Sequence, residues 1–289
     1  MTYVQRQIFV TFTLGHAASF QGGGNTLKLS GLRISAAVTN SGGISQGALD
    51  LRIYGMTPSQ MNSLMVVGPV PLVIQANNNV LIEVNNDIDP GTSQVFSGTI
   101  ASAWPDFSDA PDVPFHVTSL VGLAGALKPV PPSSYQGGRD AAEIMKQIAT
   151  TMGFKFENNG VSVQLSNSYF PGTGWQQAEA CADAAGINWT VDRGVLAIWP
   201  RGGARGGSVP LISPDTGLVG YPIRTPLGVE LQTLYNPAIV HGSKVKVQSS
   251  LQQANGVWQV TTLDHTLESM VPDGQWFSHL TCLPVGFIA

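Results

Sequence analysis

Charge is scarce in this chain: Asp, Glu, Lys and Arg make up 11% of its 289 residues, against roughly a quarter in ordinary soluble proteins. Basic residues are scarcer still. None occurs between Arg52 and Lys128, and no run elsewhere is dense enough to neutralise a phosphate backbone, which disfavours a nucleic-acid binder. Long apolar runs are missing too. Met65 to Val67 and Val121 to Leu127 fall far short of the ~20 residues of a membrane-spanning helix. The opening MTYVQRQIFVTFTLG alternates, without an apolar block or a small-residue cleavage site, and is not read as a signal peptide. Only two cysteines occur, Cys181 and Cys282. They make no disulfide framework and suit a reducing compartment. Cys181 lies among small residues in a helical pattern, where a packing role is expected.

What the chain does have is turn-forming residues, 33 Gly and 19 Pro, and a polar share carried by Ser, Thr, Asn and Gln. That combination points to a β-rich protein with an uncharged surface, part of it covered by neighbouring subunits; the plainer alternative is a β-rich monomer. Net charge is −4. Six carboxylates (Glu83, Asp87, Asp89, Asp106, Asp109 and Asp112) fall in the cation-free stretch. They are either a negative rim or scattered loop residues.

Along the chain, residues 3–14 alternate, with Val4, Ile8, Val10 and Phe12 on one face. Gly22-Gly-Gly24 reads as a hairpin tip, and alternation resumes over 26–38 and 49–54. Thr57-Pro58 is an N-cap with proline in the first turn of a short helix, Ser59 to Val67, with Met61, Leu64 and Met65 on one face. Strands are expected near 70–75, 79–85, 93–103 and 111–120. Residues 1–125 are therefore taken as an N-terminal β domain with a short helix. Residues 126–200 form a small α+β domain. In it the helix 139–152 is followed by a hairpin of 154–156 with 161–165. A helix at 176–185 is followed by a second hairpin, Ile187–Val191 with Val195–Trp199, so a helix–hairpin unit occurs twice. Pro200 to Gly207 reads as a flexible joint. Strands are expected in 208–289 at 217–223, 228–234, 243–249, 257–267 and 276–283, as a second barrel or the completion of the first. Trp258 and Val260 share a face and are expected to fill a barrel interior.

No catalytic, cofactor-binding or metal-ligating residue is assigned. His16, His116, His241, His265 and His279 lack ligand spacing, and CxxC is absent. His265 and His279, near Asp264 and Cys282, read as ordinary strand residues. There is no nucleophile elbow, HExxH or P-loop. Asp106, Asp109 and Asp112 are the residue type a glycosidase needs, but they sit in a Pro- and Ser-rich loop rather than across a cleft.

One resemblance goes further. Thr233-Leu-Tyr-Asn-Pro-Ala-Ile-Val-His-Gly-Ser-Lys-Val-Lys-Val247 and Gly256-Val-Trp-Gln-Val-Thr-Thr-Leu-Asp-His-Thr-Leu267, continuing to Phe277, resemble the C-terminal part of baseplate hub proteins of long-tailed, contractile phages. Leu51-Arg-Ile-Tyr-Gly-Met-Thr57 is similar to their N-terminal segment. The resemblance implies two tube-like antiparallel β-barrel domains with an α+β insertion. It implies a homotrimeric ring that joins the tail tube to the central spike, meets wedge or other baseplate proteins, and lets viral DNA through without specific binding. It implies a virion protein of the tail baseplate, assembled in the host cytoplasm, with no reaction, no cofactor and no membrane segment. The competing readings are another tail adaptor or distal tail ring protein, a tail-associated cell-wall hydrolase, and a carbohydrate-binding module.

Overall fold

The computed structural model describes residues 5–15, 18–43, 45–65, 77–85, 91–108 and 110–287. The strand expected near 70–75, the helix end beyond Met65, and His16, Asp87, Asp89 and Asp109 lie outside the described residues. The chain packs into two compact units. The first comprises Met1–Thr39, Ala48–Leu123 and Asp264–Phe277; the second comprises Asn40–Gly47, Ala124–Leu263 and Ser278–Ala289.

The first unit begins with β1 (Ile8–Thr13), whose Ile8, Val10 and Phe12 are buried while the residues between them are not. This is the period of a strand with one face on a core. After the Gly22–Gly24 tip, whose three residues all take positive φ in open space, β2 (Thr26–Leu29) returns antiparallel to β1, with Phe12 opposite Leu27. β3 (Ile34–Asn40) and β4 (Ala48–Tyr54) pair antiparallel. Thr57 caps the helix Pro58–Leu64 with a reciprocal capping box to Gln60, and Met61 and Leu64 face inward. β5 (Asn79–Asn85), β6 (Thr92–Pro105) and β7 (Pro114–Leu120) complete the sequence of strands. Their order is β3-β4-β7-β6-β5-β1-β2.

The second unit opens with a short helix, Leu123–Leu127. Two helices with short strands around them follow. β8 (Ser133–Ser134) and β9 (Gly138–Asp140) precede the helix Ala141–Thr151, which Asp140 caps through Ala142 N–H at 2.8 Å. Ile144, Met145, Ile148 and Ala149 form its buried stripe. β10 (Lys155–Asn158), β11 (Gln164–Ser166) and β12 (Tyr169–Phe170) lead to the helix Gly174–Ala185. That helix is closed at one end by a Thr173–Gln176 capping box and at the other by Gly186 at φ 63°. β13 (Ile187–Asp192) and β14 (Val195–Pro200) form a hairpin whose two-residue turn, Arg193-Gly194, holds both residues at positive φ (50° and 76°). The rest is β: β15 (Leu211–Ile212), β16 (Leu218–Arg224), β17 (Val229–Leu234), β18 (Lys244–Val247), β19 (Gly256–Ser269) and β20 (Trp276–Pro284). In this unit the order is β16-β17-β20-β19, with β18 on β19 and β15 on β18. Val229, Leu231, Val245, Val260, Leu263 and Leu280 form the core, each burial stabilising by about 1.5–3 kcal/mol. In the first unit, the end of β19 lies beside β3, where Ser269 Oγ donates to Leu32 O at 3.1 Å.

Two expectations are corrected. Among the described residues no sheet closes into a barrel: each strand order is an open path, running to β2 at one edge and to β16 at another. Alternation with one buried face is common to barrels and open sheets, and only the pairing of first strand with last distinguishes them. Trp258 and Val260 accordingly pack on one face of an open sheet, Val260 fully and Trp258 partly buried. The second correction concerns the repeated helix–hairpin unit. β13–β14 is a hairpin, but β10 pairs parallel with β14, and β11 pairs antiparallel with β9. The three-stranded order is β10-β14-β13. The apolar run Leu196-Ala-Ile198, buried throughout, makes β14 a central strand that needs partners on both sides, and β10 takes the vacant one. Among the described residues no helix is long and apolar enough to cross a membrane.

Candidate assembly surfaces

In the second unit, the β16–β17 hairpin carries three strongly exposed apolar side chains: Tyr221 is 69%, Ile223 62% and Leu227 56% exposed. β16 ends its strand order, and an edge strand is a template for pairing unless something blocks it. Pro222 lies within β16, and the register with β17 shifts between Val219 and Ile223. Proline removes a donor and the irregularity breaks the ladder, so this edge resists strand addition while presenting its side chains. Beside it lies a groove of about 620 Å3, lined by Pro222, Pro226, Leu227, Leu251, Trp258 and Pro284 among others. Trp258 is fixed there by donating its indole N–H to Ala254 O at 2.9 Å. At Gly228 a Cβ would overlap the Cys282 carbonyl, so the approach of the hairpin to β20 requires glycine. The surface is rich in apolar side chains, which is what a protein contact needs.

In the first unit, Trp104 and His116 are cross-strand partners on β6 and β7 and stack with centroids 5.1 Å apart and planes 9° from parallel. Trp104 and, beyond the strand end, Phe107 are exposed. Asp106 accepts from Ser108 N–H at 2.9 Å and Ser108 Oγ at 2.7 Å. The Ser108 side chain, then its N–H, holds the Asp106 carboxyl below its ordinary pKa, with a smaller contribution from His116. Of the described carboxylates in the acidic stretch, Glu83 lies beside the start of β6 and Asp106 follows its end. Glu83 on β5 pairs with Gln94, twelve residues before Asp106 on the chain. At ~3.3 Å per residue that is roughly 40 Å of strand.

The Pro200–Gly207 segment, read from sequence as a flexible joint, is pinned. Arg205 is buried and donates from Nε and Nη2 to the two Glu157 oxygens at 2.9 and 2.8 Å. Asp192 lies 3.7 Å from its Nη1. The bidentate Arg205 contact lowers the Glu157 pKa, against the opposing effect of burial. Arg193 donates to Pro237 O at 2.7 Å and to Ile239 O at 3.3 Å, so the β13–β14 turn is tied to the residues before β18. His241 is buried, its Nε2 2.8 Å from Thr261 O. Burial pushes its pKa below the ordinary value. Gly42 packs against the ring, where a Cβ would overlap it. Sequence reading passed over this cluster because its members are far apart in the chain. The one available sign was a pair of arginines, Arg193 and Arg205, in a protein that has few.

The residues singled out for chemistry are dispersed. His265 is buried and His279 exposed. Cys181 and Cys282 are buried free thiols, and burial pushes both pKa values up to about 12. Among the described residues no group of three or more His, Cys, Asp or Glu is arranged to hold a metal ion.

Comparison with known proteins gives the family. A family model described as baseplate hub gp41 matches residues 8–282. Among curated sequences none matches. Among solved structures, the tail protein from Neisseria meningitidis MC58 is similar at a TM-score of 0.62 and 12% identity, covering 96% of this chain and 97% of that one. The 43 kDa tail protein of prophage MuSo2 from Shewanella oneidensis gives a TM-score of 0.58 at 11% identity, with 96% and 99% covered. The Escherichia coli c3393 protein, a type VI secretion component described as similar to T4 tail proteins gp27 and gp5, gives 0.54 at 12% identity, with 89% and 75% covered. At such identities these likenesses speak for the fold.

Proposed function

Because the chain belongs to the baseplate hub gp41 family, we propose that three copies form a ring joining the six-fold tail tube to the trimeric central spike. Its role in the tail baseplate of the virion is structural rather than enzymatic, and its partners are of the tail, spike and baseplate class. In the proposed ring, wedge or other baseplate proteins meet the outside and DNA passes the centre without specific binding. The absence of Lys and Arg between Arg52 and Lys128 supports the last point, since a lining without cations does not retain phosphates.

The observation that carries the subunit contact is the β16–β17 hairpin. Tyr221, Ile223 and Leu227 stand exposed on an edge whose proline and register shift block strand pairing. Side-chain packing against a neighbouring copy would cover them, at a symmetric interface that closes on itself. Light scattering on the native protein over a concentration series is expected to give a trimer. A Tyr221→Glu, Ile223→Glu double variant is expected to give a folded monomer whose melting temperature lies below that of the native trimer by the stabilisation that association supplies. A trimer that survives the double variant would remove the hairpin from the interface. A six-membered ring would favour a tail adaptor or distal tail ring protein instead.

A further inference from the structure

A three-fold ring closes only if each copy presents two different surfaces, because a cyclic contact other than a two-fold one is heterologous. The β16–β17 hairpin with the groove beside it is one such surface, and it needs a counterpart elsewhere on the chain. The turn between β6 and β7 has the matching chemistry. Phe107 on this turn is 65% exposed, and Trp104 at the end of β6 is exposed as well. The turn is braced from within. Asp106 N–H donates to Pro114 O at 2.9 Å, the Asp106 carboxylate accepts from Ser108, and Ala110 N–H donates to Phe107 O at 3.4 Å. An apolar side chain held on an ordered turn loses little further entropy when a partner covers it. The fixed charge around it is of one sign: Asp106 and the exposed Asp112 flank Phe107, and the nearest Lys or Arg in sequence is Lys128. The groove is the complement. It measures about 620 Å3, its walls include Pro226, Leu227, Leu251 and Trp258, and the one titratable residue in its lining is Arg224. Arg224 is exposed and makes no ion pair among the described residues.

We propose that the Phe107 turn of one copy seats in the groove of a second copy, with Asp106 and Asp112 facing Arg224. Tyr221 and Ile223 are covered beside it. Apolar burial supplies the affinity, and the charges orient the approach more than they strengthen it. Turn against turn would bring carboxylates together, and groove against groove would bring two Arg224 side chains together, so like surfaces repel. The contact rests on the ring reading for the presence of a second copy; the choice of the two surfaces rests on their chemistry.

The test is cross-linking of the full chain. Ala110→Cys beside Phe107 and Gln253→Cys in the groove wall are made singly and together. Both sites are exposed, and the native Cys181 and Cys282 are buried. A short bis-maleimide is expected to link the double variant into a covalent trimer on a denaturing gel and to leave each single variant a monomer. In light scattering, Phe107→Glu is expected to abolish the trimer and Phe107→Leu to keep it. A melting transition reports that the Glu variant is folded, and the cysteine pair decides whether or not it is. The contact is overturned if Gln253→Cys alone links into dimers, if the double variant links only within one chain, or if folded Phe107→Glu stays trimeric. In each of those cases a native trimer leaves the ring reading standing. A native monomer overturns both. A six-membered ring linked through the same two cysteines overturns the copy number and keeps the contact.

Discussion

Glu157 accepts both guanidinium contacts of Arg205 on the edge strand of the small three-stranded sheet, and His241 sits buried and neutral in the same unit. Both pairings have a pH signature. Glu157 has a lowered pKa in the fold, so its contribution is complete above the ordinary carboxylate value of 4.5 and is lost as pH falls through the folded one. His241 is also lowered, but it is a base held neutral. Below its ordinary 6.5 the unfolded chain takes up a proton that the fold excludes, and stability falls from there downward. The melting temperature is thus expected to drop in two windows on acidification. His241→Gln should remove the upper one and Glu157→Gln the lower, each followed by calorimetry. Arg205→Ala leaves Asp192 and Glu157 without their shared cation. Breaking a buried pair costs 3–5 kcal/mol; with Glu157 partly solvated, about 2 kcal/mol is expected in a denaturant titration.

At the scale of elements, termini decide where helices begin and end. Thr173 accepts from Gln176 N–H, and the Gln176 side chain answers the Thr173 N–H at 3.0 Å. Thr173 is itself buried, so water cannot replace the bond. Thr173→Ala is expected to cost about 1 kcal/mol, on the order of 2–4 °C in melting temperature. A loss below a few tenths of a kcal/mol would mean that packing alone holds that end. The same box at Thr57–Gln60 opens a helix that is more exposed, and the same substitution there should cost less. The β13–β14 turn shows the complementary rule. Arg193 takes φ 50°, a conformation that side chains other than glycine adopt at some cost, and its hydrogen bonds to Pro237 O and Ile239 O retain it there.

At the scale of the whole molecule, the shortage of charge determines what kind of assembly is possible. Charged residues are 11% of the chain, and the side chains proposed to make the subunit contact, Tyr221, Ile223 and Leu227, are apolar and exposed. An interface built from them gains little from ion pairs. Ring formation should therefore be nearly unchanged between about 0.05 and 0.5 M salt, over which screening of surface charges goes from partial to nearly complete. Sedimentation velocity at both salt concentrations checks this. A ring that dissociates at the higher one would place its contacts on charged residues instead.

Much of the chain was legible from residues alone. Alternation over Val257–Leu267 and Gln275–Cys282 located β19 and β20 within two residues at most ends, because a strand with one buried face writes its period into the sequence. Thr57-Pro58 marked a helix start because capping is a local interaction. The absence of basic runs and of ligand spacing was equally local, as was the likeness to baseplate hub proteins carried by 233–277. What only the tertiary structure decided was pairing and enclosure. Residues 154–156 and 161–165 have the composition of a hairpin, yet β10 joins β14 and β11 joins β9, since partner choice depends on which buried strand has a vacant edge. Alternation could not tell an open sheet from a barrel, because closure is a relation between the first and last strands and leaves each strand's period unchanged. Arg205 lay in a glycine-rich stretch that any local rule reads as a joint. Glu157 and Asp192, 48 residues away in one case, made it a buried anchor, because ion pairs are selected by distance in space and not along the chain.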